Sequence, residues 1–161
     1  MADQFQLETF LPYRMNRLAE RASDSLARVY AERFRISVPQ WRILVTVGEL
    51  PGLSATAIAG RCELDKVQVS RAVSDLESRK LLRRRAVASD RRSRTLTLTS
   101  EGEAMVMQIM PLARAWERSL LEALDDSQRR QLWELLGFLD ARLDEIEDND
   151  AADERVSEPE Q

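Results

Sequence analysis

The sequence predicts a mainly α-helical fold that carries one small antiparallel β-hairpin, and three observations predict it. Apolar residues recur at spacings of three and four in both end regions. Two short helical segments joined by a brief turn fill the middle. Directly after them come two runs of alternating residues with the pattern of paired strands.

Composition narrows the classes of function. The chain has 161 residues, 43% of them hydrophobic and 32% charged, which suits a soluble helix-rich protein with one core. No run of about 18 uncharged apolar residues is present to span a bilayer. The start, MADQFQLETF, lacks the basic and apolar segments of a secretory signal. A cytoplasmic protein with no membrane partner is the expectation. With no histidine and a single cysteine, the chain cannot build a His-based triad or an internal disulfide, and a metal site is not expected. No Gly-rich loop or nucleophile motif suggests an enzyme or a cofactor.

The first helix is expected from about Leu7 to Phe34, with Leu7, Leu11, Met15, Leu18, Ala22, Leu26 and Val29 forming one stripe. At about 1.5 Å per residue it would be about 42 Å long, more than a small core can cover. A partner helix is implied. Pro39 suits the first turn of a second helix, capped near Ser37 or Val38, carrying Trp41, Leu44, Val45 and Val47 and stopping at Leu50-Pro51-Gly52. Ser54 then caps a short helix from Ala55 to Cys62, with Ile58, Ala59 and Cys62 inward. Cys62 reads as a buried structural residue, against the alternative of a redox switch. Asp65 is placed to cap the next helix, Lys66 to Lys80.

At about 100° per residue, Val69, Ala72, Val73 and Leu76 share one side of that helix. Val67, Gln68, Ser70, Arg71 and Ser74 face away. Arg suits guanine, Gln suits adenine and an exposed apolar group suits a thymine methyl, so the outward face has the chemistry of base reading. A solvated helix face is the plain alternative. The hairpin that follows tips the balance, in a stretch where residues 61–99 hold 11 Arg and Lys against 5 acids in a chain of net charge -4. Leu81 to Ala88 and Arg94 to Thr99 read as the two strands, with Ser89 to Ser93 as a polar, basic tip between them. Such a tip can follow phosphates or place an Arg in a narrow minor groove. Helix and hairpin together give a winged helix-turn-helix that is expected to bind double-stranded DNA through Lys66, Val67, Gln68, Ser70, Arg71, Ser74, Arg91, Arg92 and Arg94.

Ser100 with Glu103 forms a capping-box pattern for a helix running to about Leu124, and Pro111 in its interior predicts a bend near Met107. Asp125 with Gln128 opens the last helix, with Leu132, Leu135, Leu139, Leu143 and Ile146 at near-heptad spacing. Residues 147–161 are acidic, poor in apolar groups and expected to be a disordered tail, either solvating or lying over the basic hairpin. The expected organisation is a helical dimerisation region at 1–36 and 100–146 around a DNA-binding domain at 37–99.

These residues resemble the MarR family of bacterial transcription regulators over about Phe10 to Ile146. The specific part is a D-x-R-x5-L-T-x-x-G wing signature, here Asp90, Arg92, Leu98, Thr99 and Gly102, preceded by Asp65-Lys66-Val67-Gln68-Val69-Ser70-Arg71 at the recognition helix. The resemblance implies a homodimer joined by the terminal helices, a nucleoid-associated repressor or sometimes an activator on a pseudo-palindromic operator, and release by a small anionic or phenolic ligand. It also implies that Arg92 enters the minor groove, oriented by Asp90. Tyr13, Arg17, Trp41 and Trp116 are the effector-site candidates, where a guanidinium beside aromatic rings could hold a carboxylate, against the plainer alternative that Trp41 and Trp116 are core and Arg17 is surface or interface. Two features depart from the family pattern. Glu63 stands where a small residue is frequent in the turn, and the reactive N-terminal cysteine of peroxide-sensing members is missing. A DNA-bridging protein with little sequence preference is the alternative function.

Overall fold

The computed structural model describes the backbone of residues 5–87 and 90–157, and the side chains of 5–86 and 94–149. A single 3-10 turn at Leu7–Thr9 precedes α1 (Leu11–Phe34), α2 (Val38–Glu49), α3 (Ala55–Cys62) and α4 (Lys66–Ser78). Strands β1 (Leu82–Val87) and β2 (Asp90–Leu98) follow, then α5 (Ser100–Leu121) and α6 (Asp126–Ser157). The chain divides into two compact units, the first reaching Trp116 and the second beginning at Glu117.

The helix starts in the first unit are set by side-chain caps. Ser37 caps α2 in a reciprocal capping box with Gln40, Ser54 caps α3, and Asp65 caps α4 in a second box with Gln68. Each supplies an acceptor to an N–H that the helix itself cannot satisfy. Three helix ends turn through left-handed residues that are not glycine: Arg35 (φ 52°), Glu63 (φ 52°) and Lys80 (φ 59°). After α4 the Leu81 N–H reaches back to Leu76 O at 2.9 Å and that of Lys80 to Glu77 O at 2.9 Å, a Schellman closure. Leu76 and Leu81, both buried, supply its apolar contact. For that reason α4 ends at Ser78, two residues before the expected Lys80.

One core holds the first unit together. Tyr30, Phe34 and Ile36 from the end of α1 and beyond join Ile43, Leu44 and Val47, Ile58 and Cys62, Val69, Val73 and Leu76, the strand residues Leu82, Leu96 and Leu98, and Ile109 of α5. The core therefore draws on both sides of the 36/37 and 99/100 boundaries read from sequence. Cys62 lies inside it, its Sγ 3.3 Å from Thr46 Oγ1.

β1 and β2 pair antiparallel from Leu82↔Leu98 to Ala86↔Arg94, and a register shift then brings Val87 opposite Asp90. Residues 90–93, expected in the tip, thus have their backbone in β2, and the surplus residues of that strand are taken up as an irregularity. The segment before α3 adds to the sheet edge, with Gly52 N–H donating to Leu96 O at 3.0 Å and Leu96 N–H to Leu53 O at 2.9 Å.

Three further boundaries differ from expectation. α1 begins at Leu11 rather than Leu7, because Pro12 fits only the first turn of a helix. Thr99, not Ser100, caps α5: its Oγ1 accepts from Gly102 N–H at 3.0 Å and donates to Lys80 O at 2.5 Å. Glycine is required at 102, since a Cβ there would overlap the carbonyl of Leu81. α5 ends at Leu121 instead of Leu124, and Pro111 sits within it as expected.

The second unit comprises the end of α5 and all of α6, opened by reciprocal bonds between Asp125 and Gln128 at 2.9 Å. α6 runs to Ser157, so residues 147–157 continue a helix where an unstructured tail was expected. That stretch holds no Gly or Pro, and extending an existing helix avoids the cost of nucleation. Residues 158–161 lie outside the described residues.

Candidate nucleic-acid interface

α4 supplies the face the sequence pointed to. Val69, Ala72, Val73 and Leu76 are buried, while Lys66, Val67, Gln68, Ser70, Arg71 and Ser74 are exposed. Val67 is 57% exposed, an apolar group left in water at the tip of a helix whose other aliphatic residues are sealed. The capping box engages Gln68 directly: its Oε1 accepts from Asp65 N–H at 3.1 Å while Asp65 Oδ1 accepts from Gln68 N–H at 2.7 Å. The first turn of α4 is thereby fixed.

A groove of about 180 Å³ joins this helix to its neighbours, lined by Ala55 and Thr56 at the start of α3, Lys66 and Ser70 of α4, and Arg84 of β1. Lys66, at the N-terminus of α4 and beside the start of α3, suits a phosphate. Arg85 and Arg94 are also exposed on the hairpin, near Ala86 and opposite it respectively. Asp90, Arg91 and Arg92 have their backbone in β2, and their side chains lie outside the described residues.

Two residues counted in the basic stretch serve the fold instead. Arg84 pairs with Glu77 at 3.0 Å, tying β1 to the end of α4. Arg79 donates from Nη1 to Arg35 O at 2.7 Å and from Nη2 to Phe34 O at 2.8 Å. Asp75, one helical turn before Arg79, was the available signal, but the partner carbonyls were not readable from spacing.

Of the four effector candidates, two share a groove. Tyr13 and Arg17 share a groove of about 460 Å³ with Leu11, Arg14, Leu18 and Arg21. Trp41 stacks on Tyr30 with ring centroids 5.4 Å apart and lines a separate groove with Arg42, Arg61 and Cys62. Trp116 donates from Nε1 to Ser25 Oγ at 3.0 Å, midway along α1. Helical spacing placed Tyr13 and Arg17 on one face correctly, but the two tryptophans are set by packing between distant segments.

A capped helix with a polar outward face, preceded by a short helix and followed by a basic two-stranded hairpin, defines a winged helix-turn-helix DNA-binding protein. The MarR family model matches residues 36–93, the segment that carries α2 to the hairpin. The transcriptional regulator BilQ of Clostridium symbiosum is 29% identical over 101 residues, covering 63% of this chain and 70% of its own. A MarR/EmrR family regulator from Acinetobacter has a similar structure, with a TM-score of 0.79 and 26% identity over 88% of this chain and 99% of that one. The repressor CouR, bound to a 23-mer DNA duplex, matches with a TM-score of 0.73 and 26% identity over 86% of this chain and 98% of that one. Residues 36–93 thus match the MarR family of transcription regulators, and the relatives and solved structures to which the chain is similar are transcription regulators rather than enzymes. Among the described residues no helix is long and apolar enough to cross a membrane.

Proposed function

We propose that this regulator acts as a homodimeric repressor that presents two copies of α4 and the hairpin to a pseudo-palindromic duplex and leaves it when a small aromatic or anionic ligand binds. The observation that carries the reading is the outward face of α4, where Val67, Ser70, Arg71 and Ser74 stand exposed over a sealed core. Base contacts from this face and from Arg92 give specificity, while Lys66, Arg91 and Arg94 supply phosphate contacts and hence affinity that falls steeply with salt.

Exposed apolar stripes support the dimer. On α1, Leu11, Met15 and Leu18 are exposed, Leu18 at 62%. On α6, Trp133, Leu135, Phe138, Leu143 and Ile146 are exposed, Phe138 at 71%. Contiguous apolar faces of this kind mark interaction surfaces. The ligand reading rests on the groove at Tyr13 and Arg17, where three guanidinium groups flank a phenol and aliphatic side chains. Trp41 and Trp116 take no part in it.

A competition assay tests the reading. Duplexes enriched by the protein from a randomised pool should bind at least about 10³-fold more tightly than random DNA at the same salt. Equal affinity for both would identify a DNA-bridging protein instead.

A further inference from the structure

Arg79 is one of the most engaged side chains in the first unit, and none of its bonds face a ligand. Its two terminal nitrogens hold the last carbonyls of α1, those of Phe34 and Arg35. These belong to a helix end that turns through a left-handed residue, where carbonyls lack intrahelical donors and a cation is favoured by the helix dipole. The same guanidinium lies 3.7 Å from Asp75 Oδ2, one turn back on α4. That carboxylate oxygen accepts from Gln40 Nε2 at 2.6 Å. Gln40, the one buried polar residue among those described, closes the circuit by accepting at Oε1 from Ser37 N–H at 2.8 Å. The end of α1, the start of α2 and the end of α4 are thus joined in one ring of hydrogen bonds that is closed by the Arg79–Asp75 ion pair.

We infer that Arg79 and the Gln40–Asp75 bond are positioning residues for DNA reading: they fix the angle of α4 against α1, and so pass the placement of α1 on to the bases. The capping box at Asp65 sets only the local shape of the helix start, whereas the ring sets where the whole helix points. From Arg79 to Arg71 is about 12 Å along the helix at about 1.5 Å per residue. A tilt of about 5° about the ring would move the reading side chains by about 1 Å, enough to spoil hydrogen bonds whose donor–acceptor distances vary by only about 0.5 Å. The fork of arginine is needed, since a lysine ammonium cannot hold two carbonyls and face a carboxylate with the same planar geometry. The inference rests on α4 being the DNA-reading helix.

The test compares duplexes enriched by the wild-type protein with random duplex, for wild type, Arg79→Gln, Arg79→Lys and Asp75→Ala. Arg79→Gln should lose about tenfold of the preference for the enriched duplex, while its affinity for random DNA and its salt slope stay unchanged. Arg79→Lys should lose nearly as much and Asp75→Ala less. An unchanged preference, with or without a lower melting temperature, makes the ring a simple brace and overturns the inference. So does an equal loss on both duplexes with a shallower salt slope, which would assign Arg79 to a phosphate. Should Arg79→Gln fail to fold, Asp75→Ala decides, because it leaves the bonds to α1 in place. A wild type that enriches no sequence defeats the DNA-reading assignment itself, and the inference with it.

Discussion

Replacing Thr99 by valine should loosen the joint between the hairpin and α5. The change keeps the shape of the side chain and removes only the hydroxyl. That hydroxyl donates to Lys80 O at 2.5 Å and accepts from Gly102 N–H at 3.0 Å. Each such bond contributes about 1 kcal/mol net, and loss of a helix N-cap by itself costs about 1 kcal/mol. The Lys80 carbonyl sits at a left-handed residue, so it has no helical donor to fall back on. Together the two losses come to about 2 kcal/mol, which for a chain of this size lowers the melting temperature by about 4–8 °C. Thr99→Ser, which keeps both bonds, should fall by less than about half as much. Urea unfolding followed by tryptophan fluorescence and helical circular dichroism measures both variants. A Thr99→Val protein within about 0.5 kcal/mol of wild type would refute the account, because surface changes that touch no cap lie in that range.

Glu63→Gly should stabilise the protein by about 0.5–1 kcal/mol, since an L-residue at φ 52° carries left-handed strain that glycine does not; a destabilised variant in chemical denaturation would contradict this. Leu18→Asp places a charge in the exposed stripe of α1, and sedimentation velocity should show weaker self-association, whereas an unaltered dimer would remove that stripe from the interface. Burial pushes the phenol of Tyr30 above its ordinary value of 10.0, with the Arg42 charge pulling weakly the other way. Its folded state therefore keeps the proton at a pH where the unfolded chain has lost it. The stability this contributes is complete below pH 10.0 and falls away as pH rises through the higher folded value. Urea midpoints should decline above pH 10.0 in wild type and decline less in Tyr30→Phe.

Much of the DNA-binding segment was legible because its signals are local. Ser37, Ser54 and Asp65 announce helix starts within a few residues of themselves, and α3 spans Ala55–Cys62 as its pattern indicates. The buried side of α4 follows from a period of 3.6 residues alone. What could not be read depends on contacts between distant segments. Spacing gave Ser100 and Glu103 as a capping box, but Thr99 prevails because it also meets Lys80, 19 residues earlier. Arg79 and Arg84 looked like part of one positive surface, and only the fold shows each turned to a structural partner. Trp41 is drawn to Tyr30 and Trp116 to Ser25 by contacts between distant segments that spacing does not show.

The capping box on α4 constrains what Gln68 can recognise. Bidentate pairing with adenine needs the amide to offer a donor to N7 and an acceptor to the amino group together. Here the acceptor is already committed to the Asp65 N–H, leaving the amide nitrogen free. A Gln68 that keeps its cap has its amide nitrogen free to donate to guanine O6 or N7, adenine N7 or thymine O4, while its carbonyl has one lone pair left for a base amino group. Bidentate pairing with adenine would have that carbonyl accept from the Asp65 N–H and the base amino group at once, or give up the cap at about 1 kcal/mol. The residue that starts the recognition helix thus biases which bases its own surface accepts.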